Sequence, residues 1–255
     1  MYDQGHVPTP EPYQKRTNGG ILLGPDGSKM SKSKGNVINP KEKLDEVGAD
    51  ALRFYMAFIG PYEATTAWQD GGLKACKKLV DTIFKLSKKV SKDLEVSEKL
   101  ESQFQAYLVE LTGLIESLKN NVAVAKIMTF SNHLKDQEAI PADIWLRFLQ
   151  TIAPFAVFTS EELWYEYHGY DSTDSSKTIH KTSWPEIKPE LIKTETVTIV
   201  VQVNGKLRAR FEVAAGLDDN TLLESAKEEV GKWLEGKQIK FTKVIPDKMV
   251  TIAVK

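Results

Sequence analysis

The chain has 255 residues, of which 41% are hydrophobic and 27% are charged, and its formal net charge is −1. This composition is typical of globular proteins, and no apolar run approaches the ~20 residues that would span a bilayer. The small net charge excludes nucleic-acid binding through bulk positive charge, but it permits local basic patches because the screening length is only ~8 Å.

The cysteine content restricts the metal and redox chemistry that is open to this chain. The single cysteine, Cys76, excludes an internal disulfide and any zinc cluster that needs several cysteines. Residues 1–6 have neither a basic region nor an apolar stretch, so we expect no secretory signal. We therefore expect a reducing, cytoplasmic compartment and no metal bound by this chain.

The first 60 residues predict a loop-rich region that is followed by short helices. Residues 1 to about 40 are rich in Pro, Gly, Lys and Ser and predict loops, with one short strand over 21–23. Asn39-Pro40 predicts a helix start, with Asn39 as the cap and Pro40 at the first helical position. This helix should end near Gly48, and a second helix should cover 49–59.

From about Gly72 to Gly169 the hydrophobic period is helical and predicts a bundle of four helices. In the fourth helix, Pro154 should kink or divide the chain. The apolar side of the first long helix is predicted to contain Leu73, Cys76, Val80, Ile83, Phe84 and Val90.

The period changes after a polar stretch over 171–193, which we interpret as a linker. Two strands, over 196–203 and 207–213, flank the dipeptide Asn204-Gly205, the strongest short signal for a β-hairpin. A helix over 219–234 and two strands over 239–244 and 249–254 should complete a small ββαββ domain.

The segment Lys29-Met30-Ser31-Lys32-Ser33-Lys34-Gly35-Asn36 carries the clearest chemistry. A flexible loop with several lysines and hydroxyl groups can fold over a polyphosphate, because ammonium groups supply charge and Ser and backbone N–H groups donate hydrogen bonds. The alternative is an exposed surface loop, which the lysine and serine content alone would favour.

The residues around this segment decide between the two interpretations. The segment resembles the KMSKS loop of class I aminoacyl-tRNA synthetases and continues through Val37-Ile38-Asn39-Pro40 as in that family. The stretch Gly48-Ala49-Asp50-Ala51-Leu52-Arg53 in the following helix is also typical of the branched-aliphatic and methionyl subgroup of that family. Further stretches are similar to leucyl-tRNA synthetases, and the resemblance covers essentially all 255 residues. These stretches are Phe58-Ile59-Gly60-Pro61, Trp68-Gln69-Asp70-Gly71-Gly72, Ala153-Pro154-Phe155-Ala156 and, most specific for the bacterial type, Val201-Gln202-Val203-Asn204-Gly205-Lys206-Leu207-Arg208.

The resemblance implies a multidomain α+β fold with four regions. These are a KMSKS-loop and stem-contact region over 1–65, a helical bundle of the anticodon-binding type over 66–170, the linker over 171–193, and the ββαββ domain over 194–255.

The resemblance also implies that the complete enzyme activates leucine with ATP and Mg²⁺ and transfers the leucyl group to tRNA-Leu. Lys29 and Lys32 would be catalytic, because they stabilise charge on the phosphates in the transition state. The ATP-binding residues implied by the motif are Lys29, Met30, Ser31, Lys32 and Ser33.

Most of the active site of such an enzyme has no counterpart in the sequence. The four histidines form no His-x-Gly-His motif, and the 28 residues before the loop are too few for a Rossmann-like sheet. We therefore expect the catalytic half in the same polypeptide or in a separate subunit, and no aminoacylation by the chain alone. The alternatives are a non-catalytic tRNA-binding module and a valyl or isoleucyl relative.

Two basic faces are candidate tRNA contacts, whereas no DNA or membrane partner is expected. At ~100° per residue, seven lysines of the first long helix fall within an arc of roughly 120°. They are Lys74, Lys77, Lys78, Lys85, Lys88, Lys89 and Lys92, of which Lys74, Lys78, Lys85 and Lys89 are the predicted tRNA contacts. In the terminal domain, period two should place Lys206, Arg208 and Arg210 on one sheet face. The plain alternative for both faces is a solvated surface.

Overall fold

The computed structural model describes residues 1–11, 13, 15–171, 173–192, 196–214 and 216–255. They form two compact units, Met1–Ile192 and Lys193–Lys255, and each unit has its own apolar core. The predicted α+β class, with a helical bundle and a small terminal sheet domain, is confirmed.

The first unit is mainly helical. Its helices and short strands are β1 (Leu22–Leu23), α1 (Pro40–Val47), α2 (Ala49–Phe58), β2 (Thr66–Ala67), α3 (Asp70–Ser87), β3 (Val90–Ser91), α4 (Glu98–Glu116), α5 (Asn120–Lys135), β4 (Ile140–Pro141), α6 (Ala142–Ile152) and α7 (Val157–His168). β1 pairs with β2 and β3 pairs with β4, both in parallel. Helix α2 packs against α3, α5 and α7, so the segment that follows the loop shares one core with the bundle.

Local signals set several helix ends as predicted. The Asn39 side chain accepts a hydrogen bond from the backbone N–H of Lys41, and Pro40 stands at the first helical position of α1. Pro154 divides the predicted fourth helix into α6 and α7, because a proline cannot donate the backbone hydrogen bond that a continuous helix needs.

The first long helix differs from the prediction at its C-terminal end. α3 ends at Ser87, and Val90 belongs to β3, where it pairs with Ile140. Phe84 is 40% exposed, whereas Ile83 is fully buried. Phe84 follows Ile83 by ~100° around the helix and so falls outside the buried stripe.

The polar segment interpreted as a linker over 171–193 contacts two helices of the first unit. Ile179 is buried, and its backbone N–H donates to the Glu161 carboxylate of α7 at 3.0 Å. The backbone N–H of Lys188 donates to the Gln105 side chain of α4 at 2.8 Å. The segment up to residue 192 therefore belongs to the first unit, while the end of the predicted linker at 193–195 lies outside the described residues.

The second unit has the predicted ββαββ order, with the helical part in two pieces. Its elements are β5 (Thr196–Val203), β6 (Lys206–Ala214), α8 (Asp219–Glu229), α9 (Gly231–Leu234), β7 (Ile239–Ile245) and β8 (Met249–Val254). The sheet order is β6-β5-β8-β7, with β5 and β8 parallel in the centre. Apolar residues of α8, such as Leu222 and Ala226, form a core with Ile199, Val201 and Val250 on one sheet face.

The hairpin between β5 and β6 forms at the predicted dipeptide. Asn204 has φ 49° and Gly205 has φ 75°, as a type I′ turn requires. The Asn204 side chain also accepts from the Val254 backbone N–H at 2.9 Å and donates to the Val254 carbonyl at 3.1 Å. Asn204 therefore continues the pairing of β5 with β8 beyond the end of the strand.

Candidate functional site

The KMSKS segment begins in a folded turn directly after β1. The backbone N–H of Gly24 donates to the Ser28 carbonyl at 2.8 Å, and Gly27 lies in the left-handed region with φ 72°. Lys29 then forms an antiparallel bridge with Leu23. The backbone of the loop is therefore held at Lys29 by its pairing with the end of β1.

The predicted ATP-binding residues lie together on this loop, and its two predicted catalytic lysines are exposed. Lys29 and Lys32 are exposed, and the Nζ atom of neither makes a hydrogen bond or ion pair with any residue that the structure describes. The Oγ atoms of Ser31 and Ser33 are 2.7 Å apart, and Met30 is half-buried. Both ammonium groups are thus available to an anionic ligand.

The loop continues as a short 3₁₀ turn over Lys32–Lys34. Ser31 has extended backbone dihedrals before this turn, and Gly35 ends it in the left-handed region with φ 66°. The next residue, Asn36, is half-buried and carries a network of hydrogen bonds back into the loop. Asn36 stands inside the motif, but no sequence pattern predicted its hydrogen bonds.

Helix α2 attaches the loop-bearing segment to the bundle through two charged residues. The buried Asp50 carboxylate accepts from the backbone N–H groups of Phe158 at 3.3 Å and Thr159 at 2.5 Å, at the start of α7. Arg53 donates to the carbonyls of Phe155 at 3.1 Å and Pro154 at 2.9 Å. Two residues of the Gly48–Arg53 motif therefore bind the connection between α6 and α7. Asp50 binds its N–H groups and Arg53 binds its carbonyl groups.

Three of the predicted tRNA-contacting lysines remain on an exposed helix face. Lys74, Lys78 and Lys85 are exposed on α3. Between them, Lys77 forms an ion pair with Asp81 at 2.6 Å. The exposed part of the face is available to phosphate groups, although nothing in its geometry alone distinguishes such contacts from solvation.

The predicted lysine arc does not continue beyond the end of α3. Lys89 donates from Nζ to the carbonyls of Lys135 at 2.7 Å and Gln137 at 2.8 Å, where it caps the C-terminal end of α5. Lys88 forms an ion pair with Glu166 at 2.9 Å. Lysines share such an arc only on a continuous helix, so Lys88, Lys89 and Lys92 leave it because α3 ends at Ser87.

The basic face predicted for β6 is also altered, by a β-bulge. Val203 pairs with Lys206 and Val201 with Ala209, so that Arg208 is one extra residue on the longer strand. The expectation that three cations share one sheet face is therefore wrong. Lys206 pairs with the buried Val203, whereas Arg210 pairs with Val200 on the other face.

The bulge gives Arg208 its own contact. Its guanidinium lies 5.7 Å from the centre of the Trp233 ring, on the helix-covered side of the sheet. Such a cation–π contact holds the side chain in place but leaves most hydrogen-bond donors of a guanidinium free.

An aromatic and basic cluster at the C-terminal end of α7 was not predicted. The His168 ring stacks on Tyr170 at 4.8 Å, and the Lys92 ammonium lies 4.7 Å from the centre of the Tyr167 ring. Burial and the nearby Lys92 charge lower the pKa of His168. The aromatic content of the run Trp164–Tyr170 is the sequence feature from which this cluster could have been predicted.

Metal binding and membrane insertion find no support in the part of the chain that the structure describes. No group of three or more His, Cys, Asp or Glu side chains there could hold a metal ion. No helix among these residues is both long and apolar enough to cross a membrane.

Comparison with known proteins gives two family matches along the chain. Residues 5–69 match the model of tRNA synthetases class I (I, L, M and V). Residues 97–223 match the model of the anticodon-binding domain of tRNA ligase. The first stretch contains the KMSKS segment, and the second runs from the start of α4 to α8.

A solved structure is similar over the whole chain. It is the ternary complex of Agrobacterium radiobacter K84 agnB2 LeuRS with tRNA and LeuAMS, and the match has a TM-score of 0.67 and 28% sequence identity. The match covers 100% of this chain and 34% of that protein, so the chain spans about a third of its length. The matches over 5–69 and 97–223 place the chain among the class I aminoacyl-tRNA synthetases, and over its whole length the chain is similar to part of a leucyl-tRNA synthetase.

Proposed function

We propose that this chain supplies the ATP-closing loop and the tRNA-binding surfaces of a leucine–tRNA ligase. The observation that carries this proposal is the folded KMSKS loop inside the stretch that matches class I synthetases. Its Lys29 and Lys32 are exposed and have no partner among the described residues. The complete ligase would form leucyl-adenylate from leucine and ATP and then transfer the leucyl group to tRNA-Leu in the cytoplasm.

The chemistry assigned to the loop is electrostatic. Lys29 and Lys32 would contact the phosphates of ATP and stabilise the negative charge that develops during attack on the α-phosphorus. Ser31 and Ser33 would donate hydrogen bonds, and Met30 would pack the loop. ATP would bind with Mg²⁺ on the catalytic half, so the chain alone is expected to be inactive.

The tRNA contacts would come from both units. On α3, Lys74, Lys78 and Lys85 are the proposed phosphate contacts, because their ammonium groups are exposed. Lys89 is not a proposed phosphate contact, since its ammonium group caps α5. In the second unit, Lys206, Arg208 and Arg210 would contact tRNA-Leu from different sides of β6.

The ATP role is tested in the complete synthetase with Lys32→Ala, measured by leucine-dependent ATP–pyrophosphate exchange. Loss of one preorganised charge should lower the rate by about 10²–10³-fold. The matched control is Lys41→Ala, which removes an exposed lysine that forms an ion pair with Asp45 on α1. Equal rates for Lys32→Ala and wild type would contradict the catalytic role and favour a tRNA-binding module without catalytic function.

The tRNA role is tested with this chain alone, by its affinity for tRNA-Leu at several salt concentrations. Lys78→Ala should weaken binding and reduce the slope of log K against log salt by about 1 if the ammonium group contacts a phosphate. Lys41→Ala should leave the slope unchanged. Identical slopes for the two variants would mean that the α3 face is only solvated.

A further inference from the structure

The side chain of Asn36 connects both ends of the KMSKS loop. Its Oδ1 accepts from the Ser31 backbone N–H at 2.8 Å. Its Nδ2 donates to the Lys29 carbonyl at 3.3 Å, to Ser28 Oγ at 2.9 Å and to Asp26 Oδ1 at 3.0 Å. One amide group therefore contacts the backbone at Lys29 and the backbone immediately before Lys32.

Asp26 completes this network from the turn that precedes the loop. Its carboxylate accepts from the Ser28 backbone N–H at 3.1 Å and from Ser28 Oγ at 2.8 Å, besides the bonds from Asn36. Hydrogen bonds from Asn36 and then Ser28 lower the pKa of Asp26 to about 2. The carboxylate is thus ionised at neutral pH and can only accept, which orients the nitrogen of the Asn36 amide towards it.

Packing around the network is close. A Cβ atom at Gly24 would lie 2.8 Å from Asp26 Oδ1 and 2.9 Å from Asn36 Nδ2. Gly24 is buried and Asn36 is half-buried, whereas the flanking Gly35 and Val37 are exposed. The asparagine therefore points into the loop and is not part of its solvated surface.

We propose that Asn36 is a positioning residue for the adenylation step, because it fixes the loop backbone from which Lys29 and Lys32 project. The proposal rests on the proposed function of the loop. The Asn36 amide touches no substrate and acts through the two lysines. Asparagine suits this place because its side chain donates on one side and accepts on the other, which neither aspartate nor alanine can do.

The expected effect is on the rate of chemistry more than on leucine binding. A displacement of ~1 Å in a catalytic group can lower the rate by about 10²-fold. Asn36→Ala removes the bridge but leaves both lysines in the sequence. In the complete synthetase it should lower kcat for leucine-dependent ATP–pyrophosphate exchange by about 10–100-fold and leave the KM for leucine unchanged.

A paired exchange of the two side chains provides a rescue test. Asn36→Asp alone places a carboxylate against Asp26 and should be at least as damaging as Asn36→Ala. Adding Asp26→Asn restores one donor and one acceptor across the contact, and the carboxylate that the double variant carries at position 36 can still accept from the Ser31 N–H. The double variant should therefore recover part of the lost kcat, which general destabilisation by two substitutions would not.

Asn39→Ala is the matched control. Asn39 also accepts from a backbone N–H, but it caps α1, and its side chain bonds to Lys41 and Glu42 of that helix. Asn39→Ala should lower the melting temperature and leave kcat unchanged. It therefore distinguishes a loss of protein stability from a displacement of the loop backbone.

The same variants can be made in this chain alone, where the structure of the loop is measured without any catalytic assay. In Asn36→Ala, NMR should show faster amide exchange at Ser31 and a pKa of Asp26 that rises from about 2 towards the ordinary carboxyl range. Unchanged Ser31 exchange would overturn the proposed bridge.

Unchanged kcat in Asn36→Ala, in an enzyme that Lys32→Ala slows, would overturn the positioning role. If Lys32→Ala has no effect, the proposed function itself fails. The Ser31 exchange then still shows whether the bridge forms.

Discussion

At the residue scale, Glu101 and Arg147 form a shielded ion pair between two helices of the bundle. Two parallel hydrogen bonds, at 2.8 and 2.6 Å, join the Arg147 guanidinium on α6 to the Glu101 carboxylate on α4. The two side chains are only 20% and 18% exposed, and the guanidinium lies 4.6 Å from the centre of the Phe104 ring. Bidentate, shielded pairs of this type contribute more than exposed ones.

This pair predicts a pH-dependent stability. Hydrogen bonds from Arg147 lower the pKa of Glu101 in the folded state. Its contribution is therefore complete at pH values above the ordinary glutamate range and is lost as pH falls through the folded-state pKa. Glu101→Gln should cost about 1–3 kcal/mol at pH 7, and its stability should approach that of wild type as pH falls below about 4.

Urea unfolding between pH 3 and 7 measures this effect. The control is Glu116→Gln, an exposed glutamate at the end of the same helix, which should follow wild type at every pH. A constant gap between Glu101→Gln and wild type across this range would contradict the assignment.

Cys76 gives a second prediction at this scale. The thiol is fully buried in α3, and burial raises its pKa to about 12. Because the thiolate is the reactive form, a disulfide reagent at pH 8 should label native protein at least ~10²-fold more slowly than unfolded protein. Rapid labelling of the native state would show that this part of the core opens readily.

At the element scale, the contact of α2 with the α6–α7 connection explains why the Gly48–Arg53 motif matters to the fold. Asp50 serves as a side-chain cap for α7, which has no cap of its own from Ala156. Arg53 satisfies carbonyls that the proline break leaves without helical partners. These contacts join residues about 100 positions apart in the sequence.

We expect Asp50→Ala to reduce the free energy of unfolding of the first unit by about 1–3 kcal/mol, because the buried N–H of Thr159 and the half-buried N–H of Phe158 lose their acceptor. Amide exchange at Phe158 and Thr159 should accelerate more than exchange in α4. Asp45→Ala, which removes an exposed ion pair on α1, is the control and should change stability by at most ~0.5 kcal/mol. Equal effects of the two substitutions would contradict the capping role.

At the scale of the whole molecule, two separate cores imply two units with separate stabilities. Leu108 is fully buried in the first core and Ile199 in the second. Ile199→Ala should cost about 2–5 kcal/mol in the second unit only, and Leu108→Ala a similar amount in the first unit only. Hydrogen exchange read peptide by peptide tests this, and a loss of protection in both units from either substitution would show that they unfold together.

The sequence by itself determined those features that depend on neighbouring residues. The helix start at Asn39-Pro40, the break at Pro154, the turn at Asn204-Gly205 and the order of strands and helices follow from local dihedral preferences and hydrophobic period. The KMSKS segment was evident because its residues are contiguous. Family comparison could then match this stretch directly.

The tertiary structure alone decided which partners these residues meet. The bulge at Arg208 changed the faces of the β6 cations, and the end of α3 turned Lys89 towards α5. Asp50 and Asn36 acquired their partners only when distant or looped segments came together. Periodicity assigns a side to each residue of an ideal element. The ends, bulges and caps that redirect a side chain depend on packing between elements, which no local pattern contains.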